Sequence, residues 1–447
     1  MYFKSDLKYK GHPTGCPLCL YSPKKSTNSD VRLLFQGEKS NFGQKYTTMQ
    51  LQTIAFFNWL YPYGGAETVT HNLASFFHKQ GYRIILYIEK LNRELLCDEE
   101  RAIFQFRELP AGPDPKKPAN VDFLCRSLQE ESVDCIIVQG IDAIPFAGIK
   151  RRTRCRMIFC LHNIPFWEEY AWRELKSTEI PNPTFLRRLE FLFLRRPLDR
   201  ITRKRLHRTE KMYAGMMPHL DRMLLLCDQY KEDFMQALKA SGHPGSDAPA
   251  SKYGAILNPL LPAAAAPVSP KEKIVLYVGR FHRAHKRVDR LLKIWKTVER
   301  RNPDWKLILV GCGEEDENLR KLAVRLRLQR AEFAGYHADV TPFYRRATFM
   351  CLTSNFEGLP MSLMEGQQYG VIPVSFDSYA GIREITCDGA CGIMVPSYSL
   401  RKYAALLNAA LADTELQERM RTRALEASRR YDLENIGNQW LSLFNEM

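Results

Sequence analysis

The residues best suited to chemistry lie between Ser354 and Gly370, where the chain reads Ser-Asn-Phe-Glu-Gly-Leu-Pro-Met-Ser-Leu-Met-Glu-Gly-Gln-Gln-Tyr-Gly. This stretch carries two carboxylates, Glu357 and Glu365. An acidic side chain can accept hydrogen bonds from ribose hydroxyls, as it does in dinucleotide sites. The stretch therefore favours a nucleotide ligand that carries hydroxyl groups. An ordinary strand-to-helix turn with a solvated glutamate is the alternative.

A strand and a helix must position these carboxylates. The apolar run from Phe349 to Thr353 predicts a buried strand, and a helix is expected from about Pro360 to Tyr369, because proline suits the first helical turn. Gly358, between them, would let a ligand approach the backbone closely. The free N–H groups of Leu359 and Met361 would face the same space, and they suit a phosphate.

Other predicted strand ends of the second half also carry glycine or basic residues. They are Gly279-Arg280 and Gly311-Cys312-Gly313. In a parallel sheet such ends lie along one edge. Arg280 can clamp a diphosphate with two hydrogen bonds, and Lys286 can add a point charge. Glu357 can hold sugar hydroxyls. Together these residues indicate a nucleotide-sugar site.

The first half offers two weaker candidates. Gly64-Gly65 forms a flexible turn before a predicted helix, a geometry that suits phosphate or sugar but is common in ordinary turns. His162 follows the predicted strand from Met157 to Leu161, at the edge where open α/β sheets bind ligands. A single histidine at such a place is more often structural.

Strands and helices alternate along the chain, which predicts an α/β protein with parallel sheets covered by helices on both faces. The run from Ile256 to Pro259 is expected to be the last strand of the first half, and the Pro- and Ala-rich stretch after it separates two domains. The predicted organisation is a disordered leader (1–48), an N-terminal domain (49–262), a linker (263–273), a C-terminal domain (274–430) and a final helix (431–447).

Composition places few limits on function. The chain has 447 residues, of which 45% are hydrophobic and 26% are charged, as in ordinary globular proteins. No apolar run approaches the roughly 18 residues of a membrane span, and the start lacks the apolar core of a signal peptide. Twelve scattered cysteines suit a reducing compartment, so we expect a cytoplasmic protein. Cys16 and Cys19 lack the second pair that a zinc ribbon needs, so no metal site is expected.

The net charge of +15 implies an acidic partner. Residues 173–213 hold 12 basic and 5 acidic residues, nearly half of the excess. Within them one predicted helical face is apolar, with arginines around it. The apolar residues are Phe185, Leu189, Leu192 and Phe193, and the arginines are Arg187, Arg188, Arg195 and Arg196. Two interpretations stay open: a packed surface helix with a solvated basic face, or a helix that lies on an anionic membrane.

The chain resembles a known family, the retaining glycosyltransferases of family 4. The resemblance covers residues 51–447 and rests on these motifs: Gly64-Gly65-Ala66-Glu67, Asn258-Pro259, Val278-Gly279-Arg280 with Lys286, Gly311-x-Gly313, Ser354-x-x-Glu357-Gly358-x-Pro360-x-x-Leu363-x-Glu365, Pro373, and Gly381-x-x-Glu384. It implies a GT-B fold, with two doubly wound Rossmann-like domains facing across a cleft and the last helix crossing back to the first domain. Many members have Gly where this chain has Arg287, and Ala where it has Gly366.

The resemblance also implies roles. Arg280 and Lys286 would bind the donor diphosphate, Glu365 the ribose and Glu357 the transferred sugar. The expected catalytic residues are His162, Glu357, Arg280 and Lys286. The expected donor-binding residues are Gly64, Gly65, Arg280, Lys286, Gly311, Gly313, Glu357, Gly358, Leu359, Pro360 and Glu365.

The expected function is transfer of a sugar from a UDP- or GDP-linked donor to a glycan or lipid-linked acceptor, with retention, in cell-surface polysaccharide or lipopolysaccharide synthesis. No cofactor beyond the donor is expected, and no metal, because the chain has no Asp-x-Asp motif and has basic residues for the diphosphate. Because many relatives glycosylate lipid-linked acceptors, the resemblance favours peripheral attachment to the inner face of the cytoplasmic membrane.

Three other functions are alternatives to sugar transfer. A glycoside hydrolase also uses paired carboxylates but needs no diphosphate clamp, so Arg280 and Lys286 argue against it. A nucleotide-sugar epimerase on a similar fold is the stronger rival. A nucleic-acid-binding protein would interleave exposed aromatic and basic residues. The charge concentrates on one amphipathic stretch instead, so no nucleic-acid partner is expected.

Overall fold

The computed structural model describes residues 51–62, 64–112, 114–140, 144–175, 184–263 and 270–447. They form two parallel sheets, and in each the first strand of the domain lies in the interior of the sheet. The first sheet has seven strands in the order β3-β2-β1-β4-β5-β6-β7, and the second has six in the order β10-β9-β8-β11-β12-β13. Both are therefore doubly wound, as predicted, and each has a switch point beside its first strand, where such sheets bind ligands.

The strands of the N-terminal domain are β1 (Thr53–Tyr61), β2 (Arg83–Leu91), β3 (Phe104–Glu108), β4 (Cys135–Gln139), β5 (Arg156–Cys160), β6 (Arg222–Leu225) and β7 (Tyr253–Ala255). Its helices are α1 (Gly65–Lys79), α2 (Asp98–Ile103), α3 (Pro118–Glu130), α4 (Phe146–Arg152), α5 (Trp167–Glu174), α6 (Phe185–Glu190), α7 (Arg196–Thr202), α8 (Lys204–Met216) and α9 (Asp228–Ala240).

The C-terminal domain alternates strand and helix as its sequence predicts. Its strands are β8 (Glu272–Val278), β9 (Lys306–Val310), β10 (Ala331–Gly335), β11 (Ala347–Cys351), β12 (Ile372–Asp377) and β13 (Ile393–Pro396). Its helices are α10 (Val288–Arg301), α11 (Asp316–Leu326), α12 (Thr341–Arg346), α13 (Met361–Gln368), α14 (Ala380–Thr386), α15 (Leu400–Ala412) and α16 (Thr414–Ser428). One more helix follows them, α17 (Leu433–Asn445).

Some boundaries differ from those expected. The last strand of the first sheet is β7, so the prediction of a strand from Ile256 to Pro259 is wrong; those residues leave the sheet after Ala255. Pro360 is the N-cap of α13 rather than its first residue. Strand β8 begins at Glu272, inside the stretch expected to be linker. The leader, Tyr63, and most of the linker lie outside the described residues.

The C-terminal helix α17 packs against α1 of the first domain. Phe77 of α1 contacts Trp440 and Phe444 of α17, with ring centroids 6.2 and 5.4 Å apart. Just before α17 the backbones of the two domains pair, because the Leu260 amide donates to the Tyr431 carbonyl at 2.7 Å. Helix α17 therefore belongs to the core of the first domain.

Residues 185–202 form one nearly continuous helical segment on the N-terminal domain. Helices α6 and α7 are joined by a π-helical turn, Phe191–Arg195. Phe191 is buried against Trp172, with ring centroids 5.0 Å apart, and anchors the segment. Most other apolar side chains of the segment are exposed. No helix in the described ranges is long and apolar enough to cross a membrane.

Candidate active site

Two loops meet at the switch point of the second sheet, where β8 and β11 are neighbours. The loop after β8 is held by the loop after β11 through three hydrogen bonds. The Asn355 amide and side chain donate to the carbonyls of His285 and Ala284, both at 2.7 Å, and the Thr353 hydroxyl donates to the Arg287 carbonyl at 2.9 Å. These hydrogen bonds fix the position of Lys286 relative to Glu357.

Lys286 and Glu357 form an ion pair at the centre of these loops. The Lys286 Nζ lies 2.6 Å from Oε1 of Glu357, and the Ser354 hydroxyl donates to the same oxygen at 2.7 Å. Both charged side chains are mostly buried. The second carboxylate oxygen of Glu357 has no hydrogen bond within the described residues and can accept one from a sugar hydroxyl.

Arg280 lies at the end of β8 and is exposed. Its guanidinium makes no hydrogen bond or ion pair to the part of the chain that the structure describes, so all of its donors are available to an anion. Gly311 and Gly313 lie at the end of β9, as expected, but their lack of a side chain has a packing reason. A Cβ on Gly311 would lie 2.0 Å from the Gly279 carbonyl oxygen, and one on Gly313 2.4 Å from that of Phe281.

The start of α13 faces the first domain. A Cβ on Gly65 would lie 3.7 Å from Cγ of Met361, so the Gly64-Gly65 turn and the start of α13 are opposed across the cleft. The backbone N–H groups of Leu359 and Met361 have no acceptor among the described residues. Gly64 has a φ of 96°, which only glycine adopts readily. This arrangement can hold a phosphate between the helix N-terminus and the turn.

Glu365 lies in the second turn of α13. Its Oε2 accepts a hydrogen bond from the Tyr344 hydroxyl at 2.8 Å, which holds the carboxylate in one orientation. Burial raises the pKa of Glu365 above its ordinary value, and the Tyr344 hydrogen bond opposes that shift. The other oxygen remains able to accept a hydroxyl group.

Gly358 lies against the first domain, and its predicted contact with the donor stays a prediction. Its Cβ would meet the first domain, 2.7 Å from the His162 carbonyl oxygen and 2.6 Å from Cδ1 of Leu226. The close approach that glycine permits in this structure is therefore between the two domains. Leu359 and Pro360 follow it at the entry to α13.

Two family models match the two halves of the chain. The model described as Glycosyltransferase Family 4 matches residues 63–234, and the model described as Glycosyl transferases group 1 matches residues 264–427. The chain belongs to the family 4 glycosyltransferases. The glycosyltransferase has the predicted GT-B fold, with two parallel-sheet Rossmann-like domains.

Relatives of this glycosyltransferase include an uncharacterized glycosyltransferase of Haemophilus influenzae, 24% identical over 84% of this chain and 95% of that protein. The amylovoran biosynthesis glycosyltransferase AmsD of Erwinia amylovora is 34% identical over 39% of this chain and 49% of that protein. Among solved structures, Anabaena Alr3699/HepE in complex with UDP-glucose matches with a TM-score of 0.64 and 16% identity, over 88% of this chain and all of that one.

The His162 side chain of the glycosyltransferase lies beside Gln139. Its Nε2 pairs with the Gln139 side chain, beside a cavity that Asn258 also lines. Burial lowers the pKa of His162 to about 4, with a hydrogen bond to Asn258 acting in the opposite direction. The imidazole is therefore neutral at neutral pH. It can exchange a hydrogen bond with a sugar hydroxyl but carries no positive charge.

Two residues of the glycosyltransferase site escaped the sequence analysis. Tyr230, at the start of α9, donates to the Glu357 carbonyl at 2.9 Å and accepts from the Gly381 amide at 3.1 Å, so it links both domains. His285 packs edge-on against Phe356, with ring centroids 4.4 Å apart, and burial lowers its pKa to about 4. Tyr230 follows a strand end, which is the one signal that could have indicated it.

Proposed function

We propose that this glycosyltransferase moves a hexose from a UDP-sugar to a glycan or lipid-linked acceptor, with retention at the transferred carbon. The observation that supports this most is the convergence at one switch point of Arg280, Lys286, Glu357 and the free amides of α13. A diphosphate needs positive charge and N–H donors, and the sugar beyond it needs hydroxyl partners; the cleft supplies both.

Lys286 links the two parts of the proposed donor. An ammonium group has three donors, so it can keep its bond to Glu357 while it donates to a phosphate oxygen. Arg280 would stabilise the charge that develops on the leaving diphosphate. Glu357 would then hold the sugar, and Glu365 the ribose. The neutral imidazole of His162 would accept or donate one sugar hydrogen bond.

We also propose that the reaction needs no divalent metal. A metal ion in a nucleotide-sugar site neutralises the diphosphate, and Arg280, Lys286 and the N-terminus of α13 offer that neutralisation here. Activity should therefore survive treatment with EDTA. Loss of activity in EDTA that manganese restores would overturn this part of the proposal.

The acceptor side of the proposal is the synthesis of cell-surface polysaccharide or lipopolysaccharide. It is supported by the likeness to AmsD, whose name places it in amylovoran biosynthesis. The donor is supported by the likeness to HepE, which was solved with UDP-glucose.

The exposed helical segment 185–202 supports a membrane-associated acceptor. Phe185, Phe193 and Ile201 are 73%, 75% and 80% exposed. The segment also carries five arginines and two acidic residues. An apolar stripe flanked by arginines fits an anionic bilayer surface. We therefore propose peripheral attachment to the inner face of the cytoplasmic membrane, with the cleft held near lipid-linked acceptors.

A donor screen tests the central proposal. UDP- and GDP-sugars would be compared by thermal shift, because a ligand at a hundred times its dissociation constant stabilises a protein by about 2.7 kcal/mol. UDP-hexoses should stabilise the protein, and they should be consumed rapidly only when an acceptor glycan is added. Rapid conversion of the nucleotide sugar without acceptor would favour an epimerase. If no nucleotide sugar stabilised the protein, the proposed donor site would be wrong.

A further inference from the structure

A cluster of metal-ligating side chains lies outside the cleft. His207, Glu210 and His243 each offer one ligand atom, and these atoms all lie within 4.8 Å of one another. His207 and Glu210 are one turn apart on α8, and His243 follows the C-terminal end of α9. We propose that these three residues bind a divalent transition-metal ion, and that Zn²⁺ fits them best.

The ligand chemistry fits zinc. Two imidazoles and a carboxylate are a known zinc ligand set, with water in the fourth position. Bonds of roughly 2.0–2.2 Å in a tetrahedral site place ligand atoms about 3.3 Å apart. Nδ1 of His207 and Oε2 of Glu210 are already 3.1 Å apart. The His243 ring lies edge-on to that of His207, at 5.7 Å between centroids. His207 is exposed, so its side chain can rotate to complete the site.

The electrostatics of the cluster also call for a cation. Glu210 is buried, and its one ion-pair partner among the described residues is His207. A buried carboxylate is costly without a counter-charge. Nε2 of His243 is buried too, and it has no hydrogen-bond partner in the described part of the chain. A hydrogen bond from His207 would satisfy Glu210 but leave His243 unsatisfied, whereas a metal ion can satisfy both.

The position of the cluster indicates a bracing role. Tyr230 contacts the donor loops near the start of α9, and His243 lies beyond its other end, more than about 15 Å away along the helix. The metal would therefore not touch the donor. The metal would tie α8 to the turn after α9. Because α8 directly follows the exposed segment 185–202, this link would also hold that segment in place.

Cobalt titration tests the site. The full chain would carry C16S and C19S, which remove a competing thiol pair outside the described residues, and would be stripped of metal before Co²⁺ is added. We expect one equivalent of Co²⁺ to give visible d–d bands without thiolate charge-transfer bands, and Zn²⁺ to displace it. H207A, H243A and E210Q should each weaken binding by more than the roughly 10–100-fold cost of losing an outer-shell partner. His78→Ala, an exposed helical histidine elsewhere, is the matched control.

Several results would overturn the site. The first is the absence of any cobalt spectrum, and the second is a spectrum that H207A and H243A leave unchanged. The third is the appearance of thiolate bands that vanish when Cys387 and Cys391 are replaced by serine. Melting temperature gives a second readout: removal of metal should lower it in the parent protein and leave it unchanged in H207A. Transfer activity separates this inference from the proposed function. If the reaction itself used a metal, the activity of H207A would still depend on added metal; if the metal only braces α8, it would not.

Discussion

At the scale of single residues, Lys286 and Glu357 form an ion pair. The resemblance assigns Lys286 to the donor diphosphate and Glu357 to the transferred sugar. Their contact, 2.6 Å, orients each by the other before any donor arrives. Loss of either partner would leave a mostly buried charge without its counter-ion, which is costly. Substitutions of Lys286 or Glu357 therefore mix folding with catalysis, and Arg280 is the better probe of the donor site.

Arg280→Ala should lower kcat/KM by about two orders of magnitude, because the leaving diphosphate loses a charge-assisted clamp. Its melting temperature should stay close to that of the parent, since Arg280 is exposed and unpaired within the described residues. Arg283→Ala, in the same loop and also exposed, is the matched control. Steady-state kinetics that were equal for both variants would place the diphosphate elsewhere.

Glu365→Gln should raise donor KM about tenfold, from loss of a charge-assisted hydrogen bond to the ribose. The pH dependence is the sharper readout. Burial raises the pKa of Glu365, so its carboxylate is protonated at a higher pH than an ordinary glutamate. Donor KM of the parent should therefore rise as pH falls toward that raised pKa, and that rise should be absent in the Gln variant. Parallel pH profiles would contradict a ribose role.

The residues that sequence could predict are those whose position follows from a strand end. Arg280, Glu357 and Glu365 belong to short motifs beside predicted strands, and the sheet order then brings their loops together. At Arg287 the sequence shows a departure from the family's motif but not the backbone conformation behind it. Its φ is 49°, in the left-handed region that glycine adopts without strain, and glycine is the residue that the resemblance leads us to expect there. Its ion pair with Asp289, at 3.0 Å, accompanies that backbone conformation.

At the scale of elements, α9 reaches from the first domain to the donor loops of the second. Tyr230→Phe removes the hydroxyl that bridges the Glu357 carbonyl and the Gly381 amide. Leaving these buried groups unsatisfied costs roughly 1–3 kcal/mol. We expect kcat to fall about tenfold while acceptor-free donor binding changes little. Tyr82→Phe is the control, since no hydrogen bond of its hydroxyl occurs within the described residues. Equal kinetics for the two variants would leave Tyr230 a packing residue.

Element prediction failed where tertiary packing decides the outcome. Ile256 to Pro259 is apolar enough for a strand, yet the sheet ends at Ala255 and the chain turns toward the second domain. The short edge strand β3 is a run of five residues that pairs with β2, and so brief a run gives little strand signal in the sequence. The paired sheets themselves were predictable, because alternation of strands and helices allows few other arrangements.

At the scale of the whole molecule, the last helix ties the end of the chain to the first domain. A Cβ on Gly437 of α17 would lie 2.4 Å from the Phe76 ring of α1. Gly437→Ala should therefore destabilise the protein by about 1–3 kcal/mol through overpacking. Gly215→Ala is a matched control, because that helical glycine has open space around its Cβ position and gains helix propensity. Denaturant unfolding that ranked the two variants equally would contradict this docking.

The exposed segment 185–202 sets how the whole molecule would meet a membrane. A basic residue near an anionic leaflet contributes on the order of 1 kcal/mol, and insertion of the apolar stripe adds to it, which suits reversible attachment. The protein should sediment with anionic vesicles, and less so as salt screens the charges. Changing Arg187, Arg188, Arg195 and Arg196 to Gln should weaken this binding. The same change at Lys296, Arg300, Arg301 and Arg423, on the second domain, should have little effect. Equal binding to neutral vesicles, or equal losses in both variants, would leave the segment as a surface helix that meets no bilayer.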